Sequence, residues 1–357
     1  LCTKCSTRGS TATREVEAMI RVGLAGFSQG YYATEYMSYL ERFKEISVAA
    51  VCDCGESEEY VKECAFTTAQ TFSEKMKAPL VHDYEEFLQC ELDAVLICSE
   101  TADHVRMAKA ALERGLHVFV SKPLCFSPDD AALLGRTPHN KVLLCGNPLK
   151  YEQSVEEMHA RLAAGEIGPV HSLRITVSHL AMTAQAWERD PARSGGPFGT
   201  YAVYLFDLAR WLTGQSLVWL CALGENFATP EIPGPDTVKI LGRCSGGTHV
   251  VLELFSSIRH EYPFVEMEAV GEQGTLITRN HNYSTVFQTQ AGAVPGTLRT
   301  SNMTVGEMEH FLACIRGQDI PRCSLSDMAY TVRCLDAAQK SMSSGMPAEL
   351  PREEETT

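Results

Sequence analysis

The sequence predicts two domains of the α/β class: a parallel, doubly wound sheet followed by an α+β domain with a large, mostly antiparallel sheet. Three observations carry that expectation. Between Met19 and Gly146, short apolar strands alternate with helix-length stretches, the pattern of parallel strands joined by right-handed crossovers. From about Asn147 the strands lengthen and alternate apolar with polar residues, which suits a sheet covered on one face. The chain of 357 residues, 45% hydrophobic and 21% charged, is enough for roughly two domains of ordinary globular composition. The expected division is a disordered leader over 1–18, a first domain over 19–147 and a second over 148–357.

In order, Ile20 to Ala25 reads as an apolar strand running through Gly26 to Gly30 into a helix from Tyr31 to Phe43. Strand, turn and helix are the context of the dinucleotide fingerprint G-x-G-x-x-G. Anchored on Gly26, that register finds Ser28 and Tyr31 at the second and third glycine positions, with Gly30 one place early. A distorted phosphate loop of Gly26, Phe27, Ser28 and Gly30 is expected, its N–H groups and the positive helix end facing a pyrophosphate. The second strand, Val48 to Cys52, ends in Asp53, twenty-seven residues after Gly26. An acid there accepts from adenosine ribose hydroxyls and repels a 2′-phosphate, so this Rossmann-type domain is expected to favour NAD over NADP.

Helices are expected over Glu56 to Thr71 and Tyr84 to Gln89, then a strand from Ala94 to Cys98 and a helix from Asp103 to Arg114 stopped by Gly115. The next strand, His117 to Val120, delivers Lys122 and Pro123 to its carboxyl end, where open α/β sheets bind ligands. A helix from Pro128 to Leu134 and a strand from Lys141 to Gly146 complete the first domain. The second opens with a helix from Ser154 to Ala164. Strands follow over Val170 to Ser178, Leu217 to Gly224, Thr237 to Arg243, Thr248 to Ser256, Phe264 to Gly271 and Gly274 to Thr278, with closing helices Glu307 to Arg316 and Ser326 to Ser343.

A helix from Thr200 to Thr213 interrupts that series. At about 100° per residue, Thr200, Tyr204, Asp207 and Trp211 form one polar and aromatic stripe, while Leu205, Leu208 and Leu212 form another. The leucine stripe is expected in the core and the polar stripe at a site.

Composition excludes several partners. Forty-five acidic against 31 basic residues, net −14, disfavour nucleic acid and anionic membranes, which require clustered Lys and Arg. The apolar runs fall far short of the roughly 18 residues of a membrane span. Five of the fourteen cysteines, Cys52, Cys98, Cys145, Cys221 and Cys244, fall in or beside strands, where a reduced thiol serves as a small apolar side chain; a cytoplasmic protein is expected. Cys2 and Cys5 have half of a zinc spacing with no second pair nearby, so no metal is expected. Residues 1–17 lack the apolar stretch of a signal peptide.

The order of motifs resembles the glucose-fructose oxidoreductase, inositol dehydrogenase and rhizopine-catabolism family of nicotinamide-dependent oxidoreductases, from Met19 to about Pro351. The family's Glu-Lys-Pro reads here Ser121-Lys122-Pro123, keeping the lysine without the acid. Its Cys-Thr-Pro-Thr-x-x-His stretch, which lies along the cofactor, reads Cys98-Ser99-Glu100-Thr101-Ala102-Asp103-His104. Glu100 replaces a proline there, and a carboxylate beside a pyrophosphate is unfavourable unless it turns away. The Gly-Glu-Ile-Gly turn at 165–168, Ser194-Gly195-Gly196 and Asp207-x-x-x-Trp211-Leu212 also match.

The resemblance implies cofactor contacts from Cys98, Ser99, His104, Ser121 and Lys122 in addition to the loop and Asp53. It implies catalytic roles for Lys122 and for the helix positions of Thr200 and Tyr204, where many members carry Asp and His and some branches carry Tyr in place of the His. Asp207 joins this set, and Lys150 and His179 are candidates for the substrate pocket. Trp187 and Trp211 are expected to pack.

The implied reaction is hydride transfer between nicotinamide and a carbinol carbon of a sugar, polyol or related cyclic alcohol, Tyr204 exchanging the proton and Lys122 polarising the oxygen. A free phenol is only about 0.1% ionised at neutral pH. An ammonium about 4 Å away, at an effective dielectric near 20, offers up to about 4 kcal/mol, so Lys122 is expected to favour tyrosinate. Two other readings stay open: an NAD-retaining glycosidase or lyase using transient oxidation, and a non-catalytic dinucleotide-binding sensor. A homodimer or homotetramer through the second-domain sheet is expected by the same analogy.

Overall fold

A computed structural model describes residues 19–40, 42–180, 185, 187–259, 264–279, 286–289, 292–295 and 303–352. The leader with Cys2 and Cys5, the tail from residue 353, and parts of 179–199 and 280–300 lie outside the described residues.

The first domain runs β1 (Ile20–Ala25), α1 (Gly30–Leu40), β2 (Ile46–Cys52), α2 (Glu58–Ala65), α3 (Ala69–Met76), β3 (Leu80–Val81), α4 (Tyr84–Phe87), β4 (Ala94–Ile97), α5 (Thr101–Glu113), β5 (His117–Val120), α6 (Pro128–Gly135) and β6 (Leu143–Cys145). Its six strands lie in the order β3-β2-β1-β4-β5-β6, all parallel. The central strands are buried on both faces, as the unbroken apolar run of β4 requires. The chain reverses its direction of winding between β1 and β4, so the crevice at their carboxyl ends is the switch point where such sheets take ligands.

One expected helix, Glu56 to Thr71, is two. Ser57 and Thr68 each cap a helix by accepting from the backbone N–H three residues on, and Phe66 ends the first in the left-handed conformation at φ 55°. The two-residue strand β3 was too short to leave a periodic signal.

A 3-10 turn (Pro148–Tyr151) leads to α7 (Gln153–Ala163), β7 (Val170–Leu180), α8 (Pro191–Ser194), α9 (Gly196–Thr213), β8 (Leu217–Glu225), β9 (Thr237–Cys244), β10 (His249–Ile258), β11 (Val265–Gly271) and β12 (Gly274–Arg279). A hairpin of β13 (Val286–Thr289) and β14 (Gly292–Pro295), then α10 (Met303–Ile315), α11 (Leu325–Ser344) and β15 (Ala348–Glu349) complete the described chain. Seven strands form a sheet in the order β12-β11-β7-β10-β9-β8-β15, antiparallel except for the β7–β10 pair.

Helix α9 covers this sheet: Leu205, Leu208 and Leu212 share a core with Ile175, Leu252 and Ile240, as the leucine stripe implied. It starts four residues earlier than Thr200 because Gly195 and Gly196 take positive φ. A side chain at Gly195 would meet the Phe126 ring at 2.3 Å, so the entry to α9 is pressed against the first domain. The C-terminal helices also return there. Met308, Phe311 and Leu312 of α10 pack in the core with Leu24 and Phe119, and Met328 and Val332 of α11 in the core with Val118. Among the described residues, no helix is long and apolar enough to cross a membrane.

Candidate active site

Lys122 follows β5 and is 5% exposed. Its ammonium sits 4.6 Å from the ring centre of Tyr201, 4.8 Å from that of Tyr204 and 6.0 Å from that of Tyr32, and donates to the Thr200 carbonyl at 3.0 Å. Aromatic faces return part of the solvation that burial removes. Burial nonetheless lowers the lysine to about 7, against the opposing pull of Glu188, Glu307 and Cys145.

Tyr204 lies at the same place, brought by α9 from the second domain, with 1% exposure. Its hydroxyl is 3.2 Å from that of Tyr32, which α1 carries from the first domain, and the Phe264 ring stands edge-on to it. Here the expectation for tyrosinate is overturned. The ammonium lies over the ring rather than at the oxygen, and burial, followed by Tyr32 and Glu307, pushes the Tyr204 phenol well above its ordinary range. Tyr204 is held neutral.

The polar stripe of α9 serves two ammonium groups. In its first half Tyr204 lies under Lys122, whereas Thr200 reaches that ammonium through its backbone carbonyl alone, its hydroxyl donating to the Ser194 carbonyl at 3.3 Å, so the catalytic role expected of the Thr200 side chain is not seen. Its second half meets Lys150: Asp207 accepts from Lys150 at 2.8 Å and from Asn147 Nδ2 at 2.5 Å, and Trp211 lies 5.6 Å from the Lys150 ammonium and stacks on His159. Lys150 and Asp207 are each 1% exposed, and Lys150 also donates to the Arg322 carbonyl. This cluster, in which Asn147 Oδ1 is left without a hydrogen-bond partner, joins the helix to the start of the second domain, and Lys150 and Asp207 lie in it rather than around Lys122. His179, by contrast, reaches the Lys122 surroundings, stacked on Tyr201 with Nδ1 3.2 Å from its hydroxyl.

At the crevice end of the sheet, Gly26 has φ +85°, and an added Cβ there would fall 2.6 Å from the Ser99 N and Cα. The ends of β1 and β4 are thus close enough for bare backbone to line the switch point, ahead of the N-terminus of α1. That cradle fits a pyrophosphate approaching the loop.

Around it the candidates divide. Asp53 ends β2 as expected, one oxygen 2.7 Å from His82 Nδ1 and the other accepting from the Gly55 N–H. Ser28 donates to Glu56 at 2.8 Å. Burial first, with Ser28 and the Phe27 N–H opposing it, raises that carboxyl to about 7. Glu100 is engaged by α2 and α8, accepting from Tyr60 at 2.5 Å and pairing with Arg193, while staying close enough to Glu56 to help raise that carboxyl. Phe27 is wholly buried against Phe72, and Gly30 packs on Cys64 and Ala65.

Cys98 is buried in the same core. Ser121 donates to the Ile97 carbonyl at 3.0 Å. His104 lies between the Pro123 and Ser99 carbonyls, at 2.7 and 3.0 Å; burial, opposed by these two acceptors, lowers it to about 4, so the neutral ring donates to one of the two carbonyls and packs between the turns after β4 and β5. These three shape the crevice wall from behind. Sequence reasoning missed Tyr32, Tyr201, Glu56, Arg193 and Glu307. The adjacent Tyr31 and Tyr32 at the start of a helix that follows a phosphate loop were the available signal for the first of these.

Residues 20–145 match the model of an oxidoreductase family with an NAD-binding Rossmann fold, and residues 155–277 that of the GFO/IDH/MocA C-terminal domain. The oxidoreductase YrbE of Bacillus subtilis is 27% identical over 296 residues, 77% of this chain and 83% of that protein. The scyllo-inositol 2-dehydrogenase (NAD(+)) of the same organism is 24% identical, over 75% of this chain and 80% of its own. The myo-inositol 2-dehydrogenase of Thermotoga maritima is 26% identical, over 70% and 78%. Among solved structures, an oxidoreductase domain protein from Kribbella flavida superposes with a TM-score of 0.82 at 18% identity, over 94% of this chain and all of that one. An Agrobacterium radiobacter oxidoreductase in complex with NAD+, L-tartaric acid and magnesium gives 0.77 at 18% identity, over 93% and 98%. The two solved structures share the fold.

Proposed function

The chain belongs to the GFO/IDH/MocA family and is an NAD-binding oxidoreductase, and from that premise we propose that it moves hydride between nicotinamide and a secondary alcohol or ketone of a sugar, polyol, glycoside or related cyclic alcohol. Several relatives are named inositol dehydrogenases, which supports a polyhydroxylated ring. The observation that carries the reading is the Lys122 ammonium seated between Tyr201 and Tyr204 at the crevice end of β5.

When bound, nicotinamide supplies the carbon that gives or takes the hydride. Lys122 spends one N–H on Thr200 and keeps two donors for a substrate oxygen. Tyr204, held neutral, is the acid toward an alkoxide developing on that oxygen, so the resting site is set for carbonyl reduction. With Lys122 titrating at about 7, the same pair also accepts a proton in oxidation near neutral pH. Asp53 at the end of β2 supports NAD over NADP, since a 2′-phosphate beside a carboxylate is repelled. We also propose that the protein works as a homodimer or homotetramer through the sheet face left uncovered in the second domain.

Mass spectrometry of small molecules released from the purified protein, followed by incubation with inositols, sugars and glycosides plus NAD, tests this reading. The expected result is one NADH per substrate oxidised. A specific observation favours a second reading, the non-catalytic sensor: the Ser28 hydroxyl is held by Glu56, an internal carboxylate beside the phosphate loop. Dinucleotide binding with no net NADH from any of these substrates would favour it.

A further inference from the structure

We infer that Tyr32 is the proton outlet of Tyr204, a positioning and relay residue contributed by the opposite domain. The inference rests on Tyr204 exchanging a proton with substrate. Among the described residues, the Tyr204 hydroxyl has one hydrogen-bond partner, the Tyr32 hydroxyl at 3.2 Å, and Tyr204 itself is buried on all sides. A phenol so enclosed needs a neighbour to hand its proton on, because a buried group with no exchange partner completes one transfer and stops. Tyr32 is suited to this position: it is partly exposed while Tyr204 is not, and its ring is fixed by stacking on Tyr36 at 5.6 Å and by the edge of Tyr31.

In the oxidative direction the substrate O–H bond breaks as an O–H bond forms on Tyr204. Tyr204 gives its own proton to the Tyr32 oxygen, and Tyr32 gives its proton to water. Each phenol ends with one hydrogen, and the two electrons leave the substrate as hydride on nicotinamide. Reduction runs the chain backwards.

The groups facing this pair are Lys122 over both rings, Tyr201 beside Tyr204, Glu307 behind Tyr36, and Cys98 and Tyr31 beside Tyr32. Glu307 is raised to about 8 by burial, with Tyr36 donating to it at 2.6 Å. Its raised proton affinity comes from burial, and its side-chain hydrogen bond is with Tyr36 rather than with the relay pair, so it lies behind the relay and not in it. Tyr32 sits on α1 and Tyr204 on α9, so the relay exists only while the two domains are closed on each other.

The test is the hydroxyl exchange rate of Tyr204, read by NMR on protein labelled at the oxygen-bearing tyrosine carbon and assigned with Tyr204→Phe. Tyr32→Phe is expected to keep its thermal melt and its NAD affinity, and to slow Tyr204 exchange at least about tenfold, with turnover falling toward that of Tyr204→Phe. Tyr32→His, which retains an exchangeable proton, is expected to exchange faster than Tyr32→Phe. Equal exchange in wild type and Tyr32→Phe overturns the relay, as do equal rates in the two variants. Absence of turnover in the wild type speaks against the redox reading instead, and leaves the exchange measurement decisive for Tyr32.

Discussion

Lys122 loses its hydration shell on burial and recovers part of it from three ring faces and one carbonyl. That deficit sets both its chemistry and its effect on stability. The free lysine titrates at 10.5 and the folded one at about 7, so between those values the unfolded chain holds a proton that the native protein gives up. Stability from this group therefore rises with pH across the window and is lowest below about 7, where the buried ammonium must be charged. Lys122→Met should melt higher than wild type near pH 6, by a margin that shrinks toward pH 10. It should also lose about two to four orders of magnitude in turnover. Paired calorimetric scans at the two pH values check the first part, and a margin that grows with pH would contradict the depressed lysine. In the wild type the reductive kcat/KM should fall as pH rises through about 7, since the ammonium that polarises the carbonyl is then lost.

Helix α9 carries the argument at the next scale, because one stripe on it serves two lysines. The spacing of Thr200, Tyr204, Asp207 and Trp211 was legible in the sequence, since helical periodicity fixes which residues share a face. Which group meets that face was not, because Lys122 and Lys150 come from distant positions and nothing local says where each contacts the helix. The same limit hid Tyr32, 172 residues from its partner. The strands of the two sheets' interiors were legible because buried β leaves continuous or alternating apolar runs, whereas β3, β13, β14 and β15, two to four residues each, leave none. The break at Phe66 was obscured because a left-handed cap on a non-glycine residue gives no composition signal. The second half of the stripe has a stability consequence. Removing the charge from Asp207 leaves Lys150 buried without its counter-ion, and breaking such a pair costs about 3–5 kcal/mol, whereas replacing both partners by apolar residues is close to neutral. Asp207→Asn should lower the urea midpoint accordingly, and Lys150→Met with Asp207→Leu should recover most of it. Recovery absent from the double variant would mean that the Asn147 and Arg322 contacts, rather than the ion pair, hold the helix.

Across the whole molecule, the second-domain sheet has one face under α9 and α11 and the other turned outward. The outward row can be followed through the pairing register: Cys221 opposite Leu241, Leu241 opposite Val251, Val251 opposite Arg174, Arg174 opposite Glu268, Glu268 opposite Ile277. Its two halves differ in chemistry. Toward β12 the row is closed by the Arg174–Glu268 pair, which water solvates well. Toward β8 it carries large apolar side chains, Leu241 51% and Leu223 72% exposed with Trp219 alongside, set between the cations Lys239, opposite Leu223, and Arg243, opposite Trp219. Large apolar side chains left exposed together on one face favour an interaction site, and a flat sheet face joins a copy of itself by a two-fold axis, since the same patch then serves both subunits. A cation placed at 241, between Lys239 and Arg243 on the same face of β9, would have to be buried beside like charges in such a dimer, while costing the monomer little at a half-exposed position. Leu241→Arg should therefore halve the mass measured by light scattering at micromolar concentration and leave the thermal unfolding of the separated chain and its NAD affinity close to wild type. An unchanged mass would move the subunit contact off this face, and a monomeric wild type would remove it.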